Sequence, residues 1–287
     1  MQYIFLSPHL DDAVASCGGT IAKLVYEREN VFVFSVYTRE PDIKSIPRKF
    51  HKFANYDVRK KEDQKALDRL SADYKWLDIE ERAYRTPLLK KPTDIFKIDL
   101  SKGIRQFINI SDIQAELEKI IEEDSKSKIY SPLGIGNHFD HVEVFFASLM
   151  FMIDYALFDN FLFYIDSYGL FSSKILKKHY LGKKLVTFGT KKPEKSSLKF
   201  YMITSIMNLM MKGYKIEKML PSKYLDIEWE LKTNSIKGYD KQKLSSLECY
   251  ESQIDLFGRK TLEKFFNRLH NNWDSTELFF KVRNPIK

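Results

Sequence analysis

Apolar residues come in short blocks along this chain, separated by stretches whose apolar positions recur at helical spacing. Residues 3–6 (Tyr-Ile-Phe-Leu) form the first block, and residues 31–37 the second. The second is apolar almost throughout, the pattern of a strand covered on both faces. Between them, residues 13–28 carry Val14, Ile21, Leu24 and Val25 on a helical repeat. Strand, helix and strand at this spacing predict a βαβ unit, parallel through its right-handed crossover. Residues 57–71 predict an amphipathic helix, with Val58, Ala66, Leu67 and Leu70 on its apolar face. Arg59, Lys60, Lys61, Glu62, Asp63 and Arg69 make its charged face. Residues 74–79 predict a third strand. Residues 113–121 predict a helix capped by Ser111 or Asp112. Residues 128–131 predict a fourth strand, followed by a helix through Val142, Val144, Phe145, Phe146 and Leu149. Residues 161–165 predict a fifth strand, ending on Asp166.

Two long breaks interrupt the pattern. Residues 39–55 are rich in charge and proline, and residues 80–110, broken by Pro87 and Pro92, have the length of a binding loop or lid. Beyond residue 172 the periodicity weakens. Lysines cluster over 174–195, a methionine-rich helix is expected over 198–211, and a last helix over 240–257. The expected fold class is α/β: a Rossmann-like, mainly parallel sheet with helices on both faces, and a C-terminal mixed or helical extension. The expected division is a core over 1–172 and a helix-rich part over 173–287 packed on it.

The composition fits a folded domain. Of 287 residues, 44% are hydrophobic, and 22 Phe with 16 Tyr exclude a disordered chain. A formal net charge of +8 favours anionic partners in general, but the lysines are scattered rather than gathered in a stripe, so nucleic acid is not expected. Cys17 and Cys249 stand far apart, without a CxxC pair, which excludes a disulfide framework or zinc ribbon. With no signal-peptide pattern and no apolar run of the length a membrane span needs, the expectation is a cytoplasmic protein. Cys17 reads as a small packed residue of the first helix. Gly18 and Gly19 read as a close approach of that helix to the sheet.

Two polar clusters lie where strands end and helices begin, the place where open α/β sheets bind ligands. The first is Ser7-Pro8-His9-Leu10-Asp11-Asp12, and the second is Asn137-His138-Phe139-Asp140-His141. His9 with Asp12 and His138 with His141 share an i, i+3 spacing, so each pair can converge on one ion. A catalytic zinc takes three protein ligands and keeps one position for water. His9, Asp11, Asp12, His138 and His141 exceed that count, which leaves groups over for acid–base work and points to a hydrolase.

These residues resemble the PIG-L/LmbE-like family of zinc-dependent N-acetylglucosaminyl deacetylases. Ser7 to Ala13 with Cys17 to Ala22 is similar to the family's opening motif, in the branch with leucine between histidine and aspartates. Gly136 to His141 is similar to its second motif. Arg59, Glu62, Asp63, Ala66 and Leu70, then Ala83-Tyr84-Arg85, then Phe163 to Asp166, and near the end Tyr250-Glu251-Ser252-Gln253, also look like family positions. The resemblance implies a lactate-dehydrogenase-like core that binds no dinucleotide. It implies His9, Asp12 and His141 as ligands of Zn2+, with Fe2+ or another divalent metal as alternatives. It implies Asp11 as general base, His138 steadying the oxyanion or protonating the leaving amine, and Asp140 orienting an imidazole. Arg59, Arg85 and Asp166 would contact the substrate, an N-acetylated amino sugar or its conjugate. Asn137, Thr86 and Ile165 depart from the family pattern, which loosens the substrate more than the reaction.

Two other readings are open at this level. A nucleotide-binding Rossmann protein would need a glycine-rich phosphate loop, and neither GxGxxG nor GxxxxGK[ST] occurs among only 11 glycines. An inactive relative could use its lysine-rich C-terminal part to bind an anionic surface.

Overall fold

A computed structural model describes residues 1–51, 54–166, 216–225, 227–257 and 275–283. Within them lie the strands β1 (Gln2–Ser7), β2 (Asn30–Tyr37), β3 (Asp73–Ile79), β4 (Lys128–Pro132), β5 (Phe161–Tyr164), β6 (Trp229–Ser235) and β7 (Thr276–Val282). The helices are α1 (Asp12–Tyr26), α2 (Arg48–His51), α3 (Tyr56–Leu70), α4 (Ile110–Glu123), α5 (Phe139–Asp154), α6 (Asp240–Leu247) and α7 (Glu251–Phe257). The strands form one sheet in the order β3-β2-β1-β4-β5-β7-β6. The first five are parallel, and β7 pairs antiparallel with both β5 and β6.

Alternation along β1 divides the core. Ile4 and Leu6 face one layer, with Val144, Phe145, Leu149 and Leu117 from α5 and α4. Phe5 faces the other, with Val14, Ile21 and Leu67 from α1 and α3. Both sides of the central strands are thus dry, which is why their sequences read as unbroken apolar runs.

The C-terminal part adds β7 and β6 to the sheet beside β5. Tyr250 Oη donates to Asp63 at 2.8 Å, and Ser252 gives its N–H and Oγ–H to Glu62 at 2.8 and 2.6 Å. The Tyr-x-Ser segment therefore grips α3. The single helix expected over 240–257 is two helices, broken at 248–250, and the break turns Tyr250 toward Asp63. Asn109, not Ser111 or Asp112, stands at the cap position of α4. Val58 lies exposed, whereas Arg59 and Asp63 from the expected charged face are buried, because α3 turns these two polar groups inward. The methionine-rich stretch 198–211 and the lysines of 174–195 fall outside the described residues.

Gly19 makes its close approach to Ile236 rather than to the sheet. A Cβ there would lie 2.5 Å from the Ile236 Cδ1, so any side chain would displace that residue. Beside it, the buried Glu277 of β7 accepts from the N–H groups of Gly19 and Thr20 at 3.0 and 2.8 Å, and from Lys243 Nζ at 2.6 Å. A carboxylate and an ammonium from the C-terminal part are thus bonded to the middle of α1.

Candidate metal centre and active site

The first cluster is shaped by a turn that occupies its own backbone groups. Ser7 Oγ donates to the His9 carbonyl at 2.5 Å and accepts from the Ala13 N–H at 2.9 Å. Leu10, fully buried, pins the turn into a pocket of Ile46, Phe50, Tyr56 and Tyr84. Asp11 stands at the cap position of α1 without capping it, so its carboxylate remains for chemistry. The second cluster follows β4 through Gly134, Gly136 and Asn137, all at positive φ. Asn137, at φ 59°, is the kind of non-glycine residue that tolerates this conformation best. His138 then occupies the cap position of α5, also without capping it.

The two clusters meet. His9 and His141 ring centroids are 5.3 Å apart, and His138 lies 4.9 and 5.0 Å from them. One Asp12 oxygen, Oδ2, sits 3.1 Å from His9 Nδ1 and 3.1 Å from His141 Nε2. An ion held at about 2.0–2.2 Å by tetrahedral N and O ligands sets neighbouring donor atoms roughly 3.3 Å apart, so this spacing fits. The three imidazoles offer a second grouping, with nitrogens within 4.8 Å of one another, and His9, Glu81 and Asp140 a third. The set with Asp12 joins two 3.1 Å contacts on one oxygen and mixes carboxylate with imidazole, the donor chemistry that hydrolytic zinc sites use.

Carboxylates dominate the local field. Burial lowers the His9 and His141 pKa values, but neighbouring carboxylates outweigh it: Glu81, Asp12 and Asp140 raise His9 well above the usual range, and Asp12 with Asp166 raise His141 to about 9. A field that attracts a proton this strongly attracts a metal cation for the same reason. His138 goes the other way, held well below its usual range by burial and then by His9 and His141, so it is neutral. Asp11 is pushed up to about 7 by burial and by Asp12, and it retains partial solvent access. This is the tuning a general base needs near neutral pH.

Asp166, Arg85 and Asp140 have their hands full within the protein. Asp166 is 1% exposed; its Oδ1 lies 2.6 Å from His141 Nδ1 and its Oδ2 accepts from the Ile135 N–H at 2.9 Å. Both Asp166 oxygens are thus engaged inside the protein, beside His141 and Ile135. Arg85, 6% exposed, spends Nη2 on Asp140 at 2.7 Å and Glu143 at 3.0 Å. Asp140 Oδ2 lies 3.2 Å from His9 Nε2. Arg59, also buried, has Nη1 3.9 Å from Glu81 Oε2.

The sequence reading passed over Glu81, Tyr37 and Glu143. Glu81 reaches within 4.0 Å of His9 and accepts from Tyr56 Oη at 2.6 Å. Nothing around it in the 80–110 loop singles it out. Glu143 carried a usable signal: one carboxylate in the otherwise apolar run Val142 to Phe146. The geometry also bears on nucleotide binding. Asp11 and Asp12 stand at the N-terminus of α1, where a dinucleotide would put its pyrophosphate, and like charges would face each other. No helix of the described residues is long and apolar enough to cross a membrane.

The model of the family described as PIG-L, GlcNAc-PI de-N-acetylase, matches residues 4–152, more than half of the chain. No curated protein matches it. Among solved structures, a deacetylase of the teicoplanin biosynthesis pathway is similar over 99% of this chain and 98% of its own, at 18% identity and TM-score 0.69. The A40926 pseudoaglycone deacetylase covers 98% and 97%, at 16% identity and TM-score 0.64. The N,N'-diacetylchitobiose deacetylase of Pyrococcus horikoshii covers 99% and 84%, at 15% identity and TM-score 0.50. At these identities the likeness is one of fold.

Proposed function

The chain belongs to the PIG-L family, and from that premise we propose that it is a metal-dependent amide hydrolase removing the acetyl group from an N-acetylated amino sugar or its conjugate. Support for the sugar comes from the neighbours, which are deacetylases, one of them named for diacetylchitobiose. His9 Nδ1, Asp12 Oδ2 and His141 Nε2 would hold the ion, Zn2+ in the first instance, with Fe2+ or another divalent ion accepted by the same donors. When bound, such an ion supplies Lewis-acid polarisation of the acetamide carbonyl and a lowered pKa for water.

The remaining steps belong to the side chains. The Asp11 carboxylate takes a proton from the attacking water and later returns it to the amide nitrogen as the C–N bond breaks. Acetate and a free amine are the products. Neutral His138, across the site, donates an N–H hydrogen bond to the developing oxyanion, and the proton for the leaving amine is the one Asp11 took from water. Asp166 and Asp140 keep His141 and His9 in the tautomers that turn the ligating nitrogens inward. Arg59 and Glu81 line the approach and offer a donor and an acceptor to sugar hydroxyls.

One observation carries this reading: a single Asp12 oxygen stands 3.1 Å from imidazole nitrogens of two segments more than a hundred positions apart. The test is a panel of N-acetylated amino sugars and glycoconjugates, scored by released acetate, before and after removal and return of metal. About one divalent ion per chain and chelator-sensitive release of acetate are expected. Asp11→Asn turning over at the wild-type rate with metal bound would refute the base assignment.

A further inference from the structure

On the side of His9 away from Asp12 lies a connected set of buried polar groups outside the His9, Asp12 and His141 trio. Asp140 Oδ2 faces His9 Nε2, while Asp140 Oδ1 accepts from Arg85 Nη2 at 2.7 Å and from the Arg82 N–H at 3.1 Å. Arg85 Nη2 is shared with Glu143 Oε2 at 3.0 Å. Glu143 in turn accepts from Tyr37 Oη at 2.6 Å and from the Asn109 N–H at 2.9 Å. Tyr37, Asp140 and Glu143 are fully buried. The Tyr37 ring also lies 5.8 Å from the His9 ring and 5.6 Å from the Arg85 guanidinium carbon.

A carboxylate this deep in an apolar helix needs a reason. Burying an ion costs several kcal/mol before its partners repay it, and buried ionic triads can often be replaced by apolar side chains without loss of stability. Glu143 is flanked by Val142, Val144 and Phe145, so packing alone would be served by another apolar residue. What such a residue could not supply is direction. Asp140 and Glu143 stand three apart on α5 and share one planar guanidinium, and that fork fixes where the Asp140 carboxylate points. It points at His9.

The inference rests on the metal-hydrolase reading of the same site. We infer that Glu143, together with the Tyr37 hydroxyl, is a positioning residue for the metal centre. It clamps Arg85, Arg85 holds Asp140 on His9 Nε2, and His9 Nδ1 is thereby kept turned toward Asp12 and His141. Outer-shell partners of ligating histidines typically change metal affinity by about 10–100-fold. Glu143 acts two contacts beyond Asp140, at the lower end of that range, roughly tenfold, and the single Tyr37 hydroxyl about threefold.

The test compares wild type, Tyr37→Phe and Glu143→Gln by competition for Zn2+ against a chromophoric chelator, with acetate release and thermal unfolding followed in parallel. Tyr37→Phe keeps the ring and removes only the hydroxyl, so it decides the matter should Glu143→Gln not fold. Weaker Zn2+ binding in the order wild type, Tyr37→Phe, Glu143→Gln is expected, with kcat falling in the same order and KM unchanged. Variants that bind Zn2+ within twofold of wild type, whatever their melting temperature, would overturn the positioning role alone. A wild-type chain with no measurable Zn2+ affinity would overturn the functional reading beneath it as well.

Discussion

Replacing Glu277 with alanine should cost far more than an ordinary surface change, although the residue is far from any reacting atom. Its carboxylate neutralises Lys243 at 2.6 Å and accepts from two N–H groups and the Thr20 hydroxyl of α1. Glu277 and Lys243 are each only 6% exposed. In Glu277→Ala the ammonium keeps the Ser16 carbonyl at 3.4 Å but loses its buried counter-charge. Breaking one side of a buried pair costs about 3–5 kcal/mol. With an unfolding entropy of about 2.1 cal/mol/K per residue, or roughly 0.6 kcal/mol/K for this chain, the melting temperature should fall by about 5–8 °C. Removing both charges in Lys243→Met/Glu277→Leu leaves no orphaned ion. The double variant should melt well above Glu277→Ala, still below wild type because the α1 donors lose their acceptor. Circular dichroism melts of the wild type, both single variants and the double variant measure the coupling. Strictly additive single effects, or a Glu277→Ala shift below 1 °C, would refute the buried-pair argument.

Asp63 makes stability depend on pH. Burial pushes its pKa up to about 6, against 3.8 for the free side chain, so the folded state holds the proton more tightly and this group's contribution declines as pH rises from about 4 to 6. Asp63→Asn should therefore gain stability relative to wild type between pH 4.5 and 7.5, by about 2–3 kcal/mol at most; an offset that stays constant in melts at both pH values contradicts this. Asp166→Asn leaves one amide oxygen for two donors, the His141 Nδ1–H and the Ile135 N–H, and removes the negative charge beside His141. It should weaken Zn2+ binding by about 10–100-fold in a chelator competition, and unchanged affinity would mean His141 needs no brace.

The parallel core was legible because strands dry on both faces leave uninterrupted apolar runs, and helices wet on one side leave a 3.6 repeat. Strand β6 was not. It is an edge strand whose Lys232, Thr233 and Ser235 sit largely in solvent, so no alternation survives to be read. Strand β7 is apolar enough, but its partner β5 lies more than a hundred positions earlier, beyond the reach of local pattern. The metal-ligand candidates were visible because histidines and aspartates bunched at strand ends. Their supports were not, since Tyr37, Arg85 and Glu143 come from a strand, a loop and a helix, and only folding joins them. The internal partners of Arg85 and Asp166 were hidden for the same reason: sequence ranks a residue by type, while direction decides which neighbour it meets.

Strand β7 is an interior strand, hydrogen-bonded on both edges, yet it is drawn from residues 276–282. As the polypeptide leaves the ribosome, β1 to β5 and the helix bearing Asp11 and Asp12 emerge long before it. Until it arrives, β5 presents a bare edge and the middle of α1 waits for Glu277, the kind of exposed intermediate that invites self-association. Maturation of the site thereby waits until synthesis has passed residue 282, and a product cut short before β7 would hold every candidate ligand residue while missing the clasp on the helix at whose start Asp11 and Asp12 stand.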